Sequence, residues 1–148
     1  FANTERFPDA EEIVVDAIPE WLTRAELPAH AFAVILTRGH RHDLDALRAL
    51  APKELRYLGL IGSRAKVARI YEALEAEGIT PEQLRKVHAP VGLDLGAVTP
   101  QEIAVSILAE MIGIKYGKVD ASGTSTTEGS AQSLRWTPGN AAKATVGG

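Results

Sequence analysis

The chain predicts an α/β domain of three layers, a mainly parallel sheet between helices. Two observations lead there. Short apolar runs of strand length alternate with stretches whose apolar residues recur at helical spacing, the order that parallel pairing with right-handed crossovers demands. Two of these runs also end in glycine-bearing turns that open directly into helices, at Thr37–Asp43 and at Gly62–Lys66. In such a sheet the carboxyl ends of the strands line one edge, and ligands bind along it.

The elements follow in order. Glu12-Ile-Val-Val15 reads as a brief first strand ending at Asp16, and Ile18–Arg24 as a helix with Pro19 suited to its first turn. Ala31–Thr37 is a continuous, partly β-branched apolar run, as expected of a strand covered on both faces. After it, Leu44, Leu47 and Leu50 mark a helix for which Asp43 is a reasonable N-cap. Tyr57-Leu-Gly-Leu-Ile-Gly-Ser-Arg64 is a buried strand turning through Gly62 into a helix capped by Ser63, which should run to about Glu77 and stop at Gly78. Thr80-Pro-Glu-Gln83 begins a shorter helix with a capping box, and His88–Ala97, rich in glycine and proline, reads as a loop. Thr99 and Glu102 repeat the capping box ahead of an unusually apolar helix, Ile103–Tyr116. There Ile103, Ile107, Met111 and Ile114 form one stripe, Val105, Leu108 and Ile112 extend it, and Ser106, Glu110 and Lys115 are expected to be wet. A helix this apolar belongs to the core or to an oligomer interface, and both readings stay open.

From Gly117 onward glycine, serine, threonine and alanine dominate without periodicity. Residues 1–116 are therefore expected to form the domain and 117–148 a flexible tail, with Leu134-Arg-Trp136 its one sticky spot.

At 148 residues the chain accommodates one domain with a real core, and 45% hydrophobic with 24% charged residues matches an ordinary globular protein. A net charge of −3 argues against general nucleic-acid binding, which needs a basic face. No apolar run is long enough to span a membrane, and no secretory leader opens the sequence. Cysteine is absent, which excludes disulfides, thiolate metal sites and a cysteine nucleophile within these residues and is compatible with a reducing cytoplasm.

Against the acidic background Arg38, Arg41, Arg64, Lys66 and Arg69 stand out as a basic cluster. Arg64 and Lys66 begin a helix, where cations oppose the dipole, so their placement hints at an anionic ligand. Ser63 lacks the G-x-S-x-G context of a nucleophile and reads as an N-cap. His40 and His42 flank Arg41, whose charge and that of Arg38 would repel a metal, so no metal site is expected. The Thr37–His42 turn reads equally as an anion site or as a polar helix cap. Asp94, between Gly92 and Gly96, has the position to bond a ribose, a pterin amine or its own backbone.

Four segments together resemble one family: Phe1–Ala10, Leu36-Thr-Arg-Gly-His-Arg-His-Asp43, Tyr57-Leu-Gly-Leu-Ile-Gly-Ser-Arg64, and the run from His88 through Ser106. They are similar to the carboxyl-terminal Rossmann-like domain of the XdhC/CoxI family, the xanthine dehydrogenase accessory proteins, over about residues 1–116. The resemblance implies a Rossmann-like sheet incomplete at its N-terminus, because the family's first strand–helix–strand unit and its separate cysteine-bearing module would lie before Phe1. It implies a cytoplasmic, non-catalytic chaperone. Such a protein binds molybdenum cofactor, aids its sulfuration, and inserts it into a xanthine dehydrogenase-type molybdoenzyme, with a cysteine desulfurase as further partner and a homodimer as the assembly. The cofactor's phosphate, or a nucleotide, would then occupy the corner made by Thr37, Arg38, Gly39, His40, Gly62, Ser63, Arg64 and Lys66, with Asp94 nearby. Two other classes compete. One is an NAD(P)-type oxidoreductase, whose G-x-G-x-x-G fingerprint is not found in these residues; the other is a pure interaction domain.

Overall fold

The computed structural model describes residues 2–120; of the expected tail, residues 121–148 with Leu134–Trp136 lie outside the described residues. Three parallel strands, β1 (Phe32–Ile35), β2 (Tyr57–Leu60) and β3 (Val87–His88), form a sheet in the order β1-β2-β3. Five helices accompany them: α1 (Ile18–Arg24), α2 (His40–Leu50), α3 (Arg64–Ala76), α4 (Pro81–Arg85) and α5 (Pro100–Lys115). The α/β class with a parallel sheet is thus as the sequence predicts.

All four residues of β2 are buried, as a central strand covered on both faces should be. Its side chains alternate between two cores. Leu58 and Leu60 join Ile35, Leu47, Leu50, Ile70 and Leu74 under α2 and α3. Tyr57 faces the opposite side with Val91 and Ile107, where Ile103, Met111 and Ile114 of α5 pack. The sheet is therefore the middle layer.

Local chemistry sets the helix ends. Ser63 accepts the Lys66 N–H at 3.3 Å, and Gly78, at φ +96°, turns the chain out of α3. Both expected capping boxes form, Thr80 with Gln83 and Thr99 with Glu102.

Several expectations are corrected. Glu12–Val15 forms no strand: a strand exists through hydrogen bonds to a neighbour, none of the three strands pairs with this segment, and Val15 is 80% exposed. Asp16 turns instead to α1, accepting the Ala17 N–H at 2.7 Å and pairing with Arg24 at 3.1 Å. Gly39, not Asp43, is the N-cap of α2; the helix begins four residues early and carries Asp43 into the interior. The loop expected at His88–Ala97 opens with the last residue of β3.

Of the three residues of α5 expected to be wet, only Lys115 is exposed. Ser106 and Glu110 are 4% and 0% exposed, whereas Val105, Leu108 and Ile112 are each more than half exposed. The polar pair tolerates burial because each has partners, the Ser106 hydroxyl donating to the Ile103 carbonyl at 2.8 Å. The stripe from Ile103 to Ile114 does face the core, so α5 is a core helix with a second, uncovered apolar face. Packing also continues past Tyr116: the Lys118 N–H donates to the Gly113 carbonyl at 2.8 Å, and Val119 is buried against Gly113.

Candidate functional site

The turns after β1 and β2 are neighbours because their strands are. Ile35 lies beside Leu60 in register, and the Ile61 N–H donates to the Ile35 carbonyl at 3.1 Å. Asp43 then joins the turns through side chains. One of its carboxylate oxygens accepts the Thr37 hydroxyl at 2.7 Å and the other pairs with the Lys66 ammonium. Thr37 in turn accepts the Gly39 N–H at 3.3 Å, which closes its own loop. Asp43 is fully buried, and an unpaired charge there would be costly, so Lys66 and Thr37 are what make its position tenable. Lys66, predicted as an anion ligand, has its charge committed to Asp43. His40 and His42 fall two apart on the first turn of α2, both exposed, and so project in different directions. Among the described residues no three His, Cys, Asp or Glu gather to hold a metal.

A cleft of about 430 Å³ opens at the carboxyl ends of β2 and β3, a volume suited to a small organic ligand. One wall is the end of β2 and the start of α3, through Ile61, Gly62 and Arg64; the other is the loop from Ala89 to Ala97. Ile103 and Ser106 of α5 contribute to the lining as well. Arg64 and Asp94 bring opposite charges to an otherwise largely apolar hollow. Of the nine predicted binding residues, Gly62, Arg64 and Asp94 line this cleft. Ser63 caps the adjoining helix, and Thr37, Arg38, Gly39 and His40 occupy the next turn along the same sheet edge.

The loop wall is held by three consecutive amides. Val91 N–H donates to the Leu60 carbonyl at 3.0 Å, Gly92 N–H to Glu110 Oε2 at 2.9 Å, and Leu93 N–H to the Ser106 carbonyl at 3.2 Å. Gly92 has φ +94°, and a Cβ there would lie 2.5 Å from Ser106 Oγ, so only glycine lets the loop lie this close to α5. At the far end of the wall, Glu102 accepts the N–H groups of Thr99 at 2.8 Å and Val98 at 2.9 Å. Those two amides hold its carboxyl below the usual carboxylate range.

The sequence does not single out Glu110, His88 or Tyr57 as site residues. For Glu110 a cue is nonetheless present in it: the residue lies three positions after Ile107 and four before Ile114, on the very stripe that faces the core.

A family model for the XdhC Rossmann domain matches residues 1–111, the span that builds the sheet and the cleft. The chain belongs to the XdhC family. This XdhC domain is 34% identical over 114 residues to the uncharacterized protein YqeB of Escherichia coli, covering 76% of this chain and 21% of that protein. It is 31% identical over 112 residues to a probable xanthine dehydrogenase subunit of Bacillus subtilis, covering 76% of this chain and 32% of that one. A crystal structure of a xanthine dehydrogenase from Bacillus halodurans superposes with a TM-score of 0.66 at 34% identity, over 82% of this chain and 34% of the other. The chain thus spans about a fifth to a third of the length of the relatives it matches. The Rossmann-like reading of the sheet is the family's fold.

Proposed function

We propose that this XdhC domain holds the phosphate-bearing organic end of molybdenum cofactor, in a protein that helps mature a xanthine dehydrogenase-type molybdoenzyme. The observation that carries the reading is the cleft itself: it lies at the carboxyl edge of a parallel sheet, with Arg64 at one wall and Asp94 at the other. The guanidinium and the α3 N-terminus suit a phosphate, and Asp94 suits the amino group of a pterin. Ile61, Leu93 and Ile103 supply apolar contact for a flat ring. The chain's own residues fit that end of the cofactor and not its metal, since no cysteine is available to ligate molybdenum. When bound, the cofactor supplies the redox and sulfido chemistry; this domain supplies grip and orientation.

The names of the relatives support a xanthine dehydrogenase-type enzyme as the partner. A cytoplasmic setting, with a cysteine desulfurase delivering sulfur to the carried cofactor, completes the proposal. The outward face of α5, with Val105, Leu108 and Ile112, supports self-association into a homodimer. Among the described residues no helix is long and apolar enough to cross a membrane. A second reading, an NAD(P)-dependent oxidoreductase, draws on the same cleft, because a nucleotide offers the same phosphate to Arg64.

Titration of molybdopterin into the protein and its Arg64→Ala and Arg38→Ala variants tests the proposal. Loss of a charge-assisted bond predicts about 10- to 100-fold weaker binding for Arg64→Ala. Unchanged affinity in Arg64→Ala refutes the cleft, and selective loss in Arg38→Ala moves the site to the neighbouring turn. Hydride transfer to NAD(P) would favour the oxidoreductase.

A further inference from the structure

A carboxylate on the buried stripe of an apolar helix demands a reason. Glu110 lies on the same face of α5 as Ile103, Ile107 and Ile114, and it is 0% exposed. Burial of an ion at that depth costs several kcal/mol unless its oxygens are bonded. Its surroundings answer that demand. Oε2 accepts the Tyr57 hydroxyl at 2.6 Å and the Gly92 N–H at 2.9 Å. Oε1 lies 3.0 Å from His88 Nδ1, in contact though outside hydrogen-bond geometry. Tyr57 and His88 are themselves 1% and 2% exposed, their rings 4.4 Å apart.

These partners differ in what they do. Tyr57 on β2 and His88 on β3 belong to the sheet; the Tyr57 hydroxyl holds the carboxylate, and the His88 ring packs beside its other oxygen. Gly92 belongs to the loop, and its amide is the middle one of the three that anchor the cleft wall. The flanking amides, of Val91 and Leu93, bond backbone carbonyls that the fold supplies in any case. The middle one depends on a side chain. We infer that Glu110 is a positioning residue: held by the Tyr57 hydroxyl and packed beside His88, it orients the Gly92 peptide and so sets the wall from which Leu93 and Asp94 meet the ligand. Its role as part of a binding site rests on the cleft proposed above; its control of the loop does not.

Amide hydrogen exchange on the whole chain tests that control without any ligand. In the wild-type protein the Gly92 amide should exchange as slowly as the core amides of β2; rapid exchange there overturns the inference directly. Glu110→Gln keeps an acceptor oxygen at the same place and should leave Gly92 protection within about threefold. Glu110→Leu fills the volume without an acceptor and should speed Gly92 exchange at least tenfold beyond the change in globally protected amides. Equal acceleration across the molecule would mean a stability role alone and overturn the inference. Should Glu110→Leu not fold, the wild-type and Glu110→Gln rates still decide the matter.

Molybdopterin titration of the same variants separates the two readings. A wild-type protein that ignores molybdopterin sinks the proposed ligand and leaves the exchange result standing. If the wild type binds, Glu110→Leu should weaken binding about tenfold and Glu110→Gln should restore it; binding unchanged in Glu110→Leu counts against the positioning role.

Discussion

Gly92 donates its backbone N–H to the Glu110 carboxylate across 2.9 Å, although eighteen residues separate them in sequence. The bond joins the loop after β3 to the middle of α5. Below it, α5 presents the Ser106 hydroxyl 2.5 Å from where a Gly92 Cβ would stand, so loop and helix are in contact along a surface that leaves no space for a side chain.

Gly92→Ala should therefore cost stability on two counts, a φ of +94° and a backbone-proximal clash. A loss of about 1–3 kcal/mol is expected from conformational strain alone. Urea unfolding measures it, and a variant as stable as the wild type would show that the loop lies farther from α5 than 2.5 Å implies.

Asp43 and Lys66 form the second test. Lys66→Met strands a buried carboxylate and should destabilise the protein by about 3 kcal/mol. The double substitution Asp43→Asn with Lys66→Met should recover much of that, because the asparagine still accepts from Thr37. In the folded protein Lys66→Met should leave molybdopterin affinity near the wild-type value, since the ammonium serves Asp43. A large loss of affinity without loss of stability would return Lys66 to the binding residues.

The elements most legible in the sequence are those whose cause is local. The β2 run, the Gly62 turn, the Ser63 cap and both capping boxes depend on residues within a few positions of one another, and each appears where predicted. What is illegible depends on partners distant in the chain. Glu12–Val15 has a strand's composition but no strand beside it. Asp43 has an N-cap's identity but is drawn inward by Lys66, twenty-three positions on. Glu110 and Ser106 read as wet when polarity is weighed one residue at a time; their place on the core stripe outweighs it. Two-residue β3 is too short to show any period. For the candidate site, turns and charge point to Gly62, Arg64 and Asp94, whereas of the buried groups that brace them only Glu110 has a cue in the sequence, its place on the helical stripe, and its polarity masks that cue.

Acid should weaken the start of α5. The Glu102 carboxyl is held below its usual value by the Thr99 and Val98 amides. A group with a depressed folded-state pKa adds stability above its unfolded value, and that contribution is lost as pH falls through the folded value. The stability difference between wild type and Glu102→Gln should therefore be present at pH 7, begin to shrink below the ordinary glutamate value of about 4.3, and vanish once the pH lies below the depressed folded value. A difference independent of pH would assign the cap to shape rather than charge.

The outer face of α5 predicts self-association. Leu108 is 57% exposed between Val105 and Ile112, and Leu108→Glu places a charge in the centre of that face without touching the core. Sedimentation should show a wild-type dimer and a monomeric variant of unchanged fold. A monomeric wild type, or a dimer indifferent to Leu108→Glu, would release this face from that role.

The central claim, that ligand enters at the carboxyl ends of β2 and β3, is tested most directly by mapping amide chemical shifts during titration with molybdopterin. The largest changes should fall on Ile61–Arg64 and on Val91–Asp94. Changes centred instead on the groove of about 370 Å³ between α1 and α2, around Thr23, Arg48 and Lys53, would contradict it.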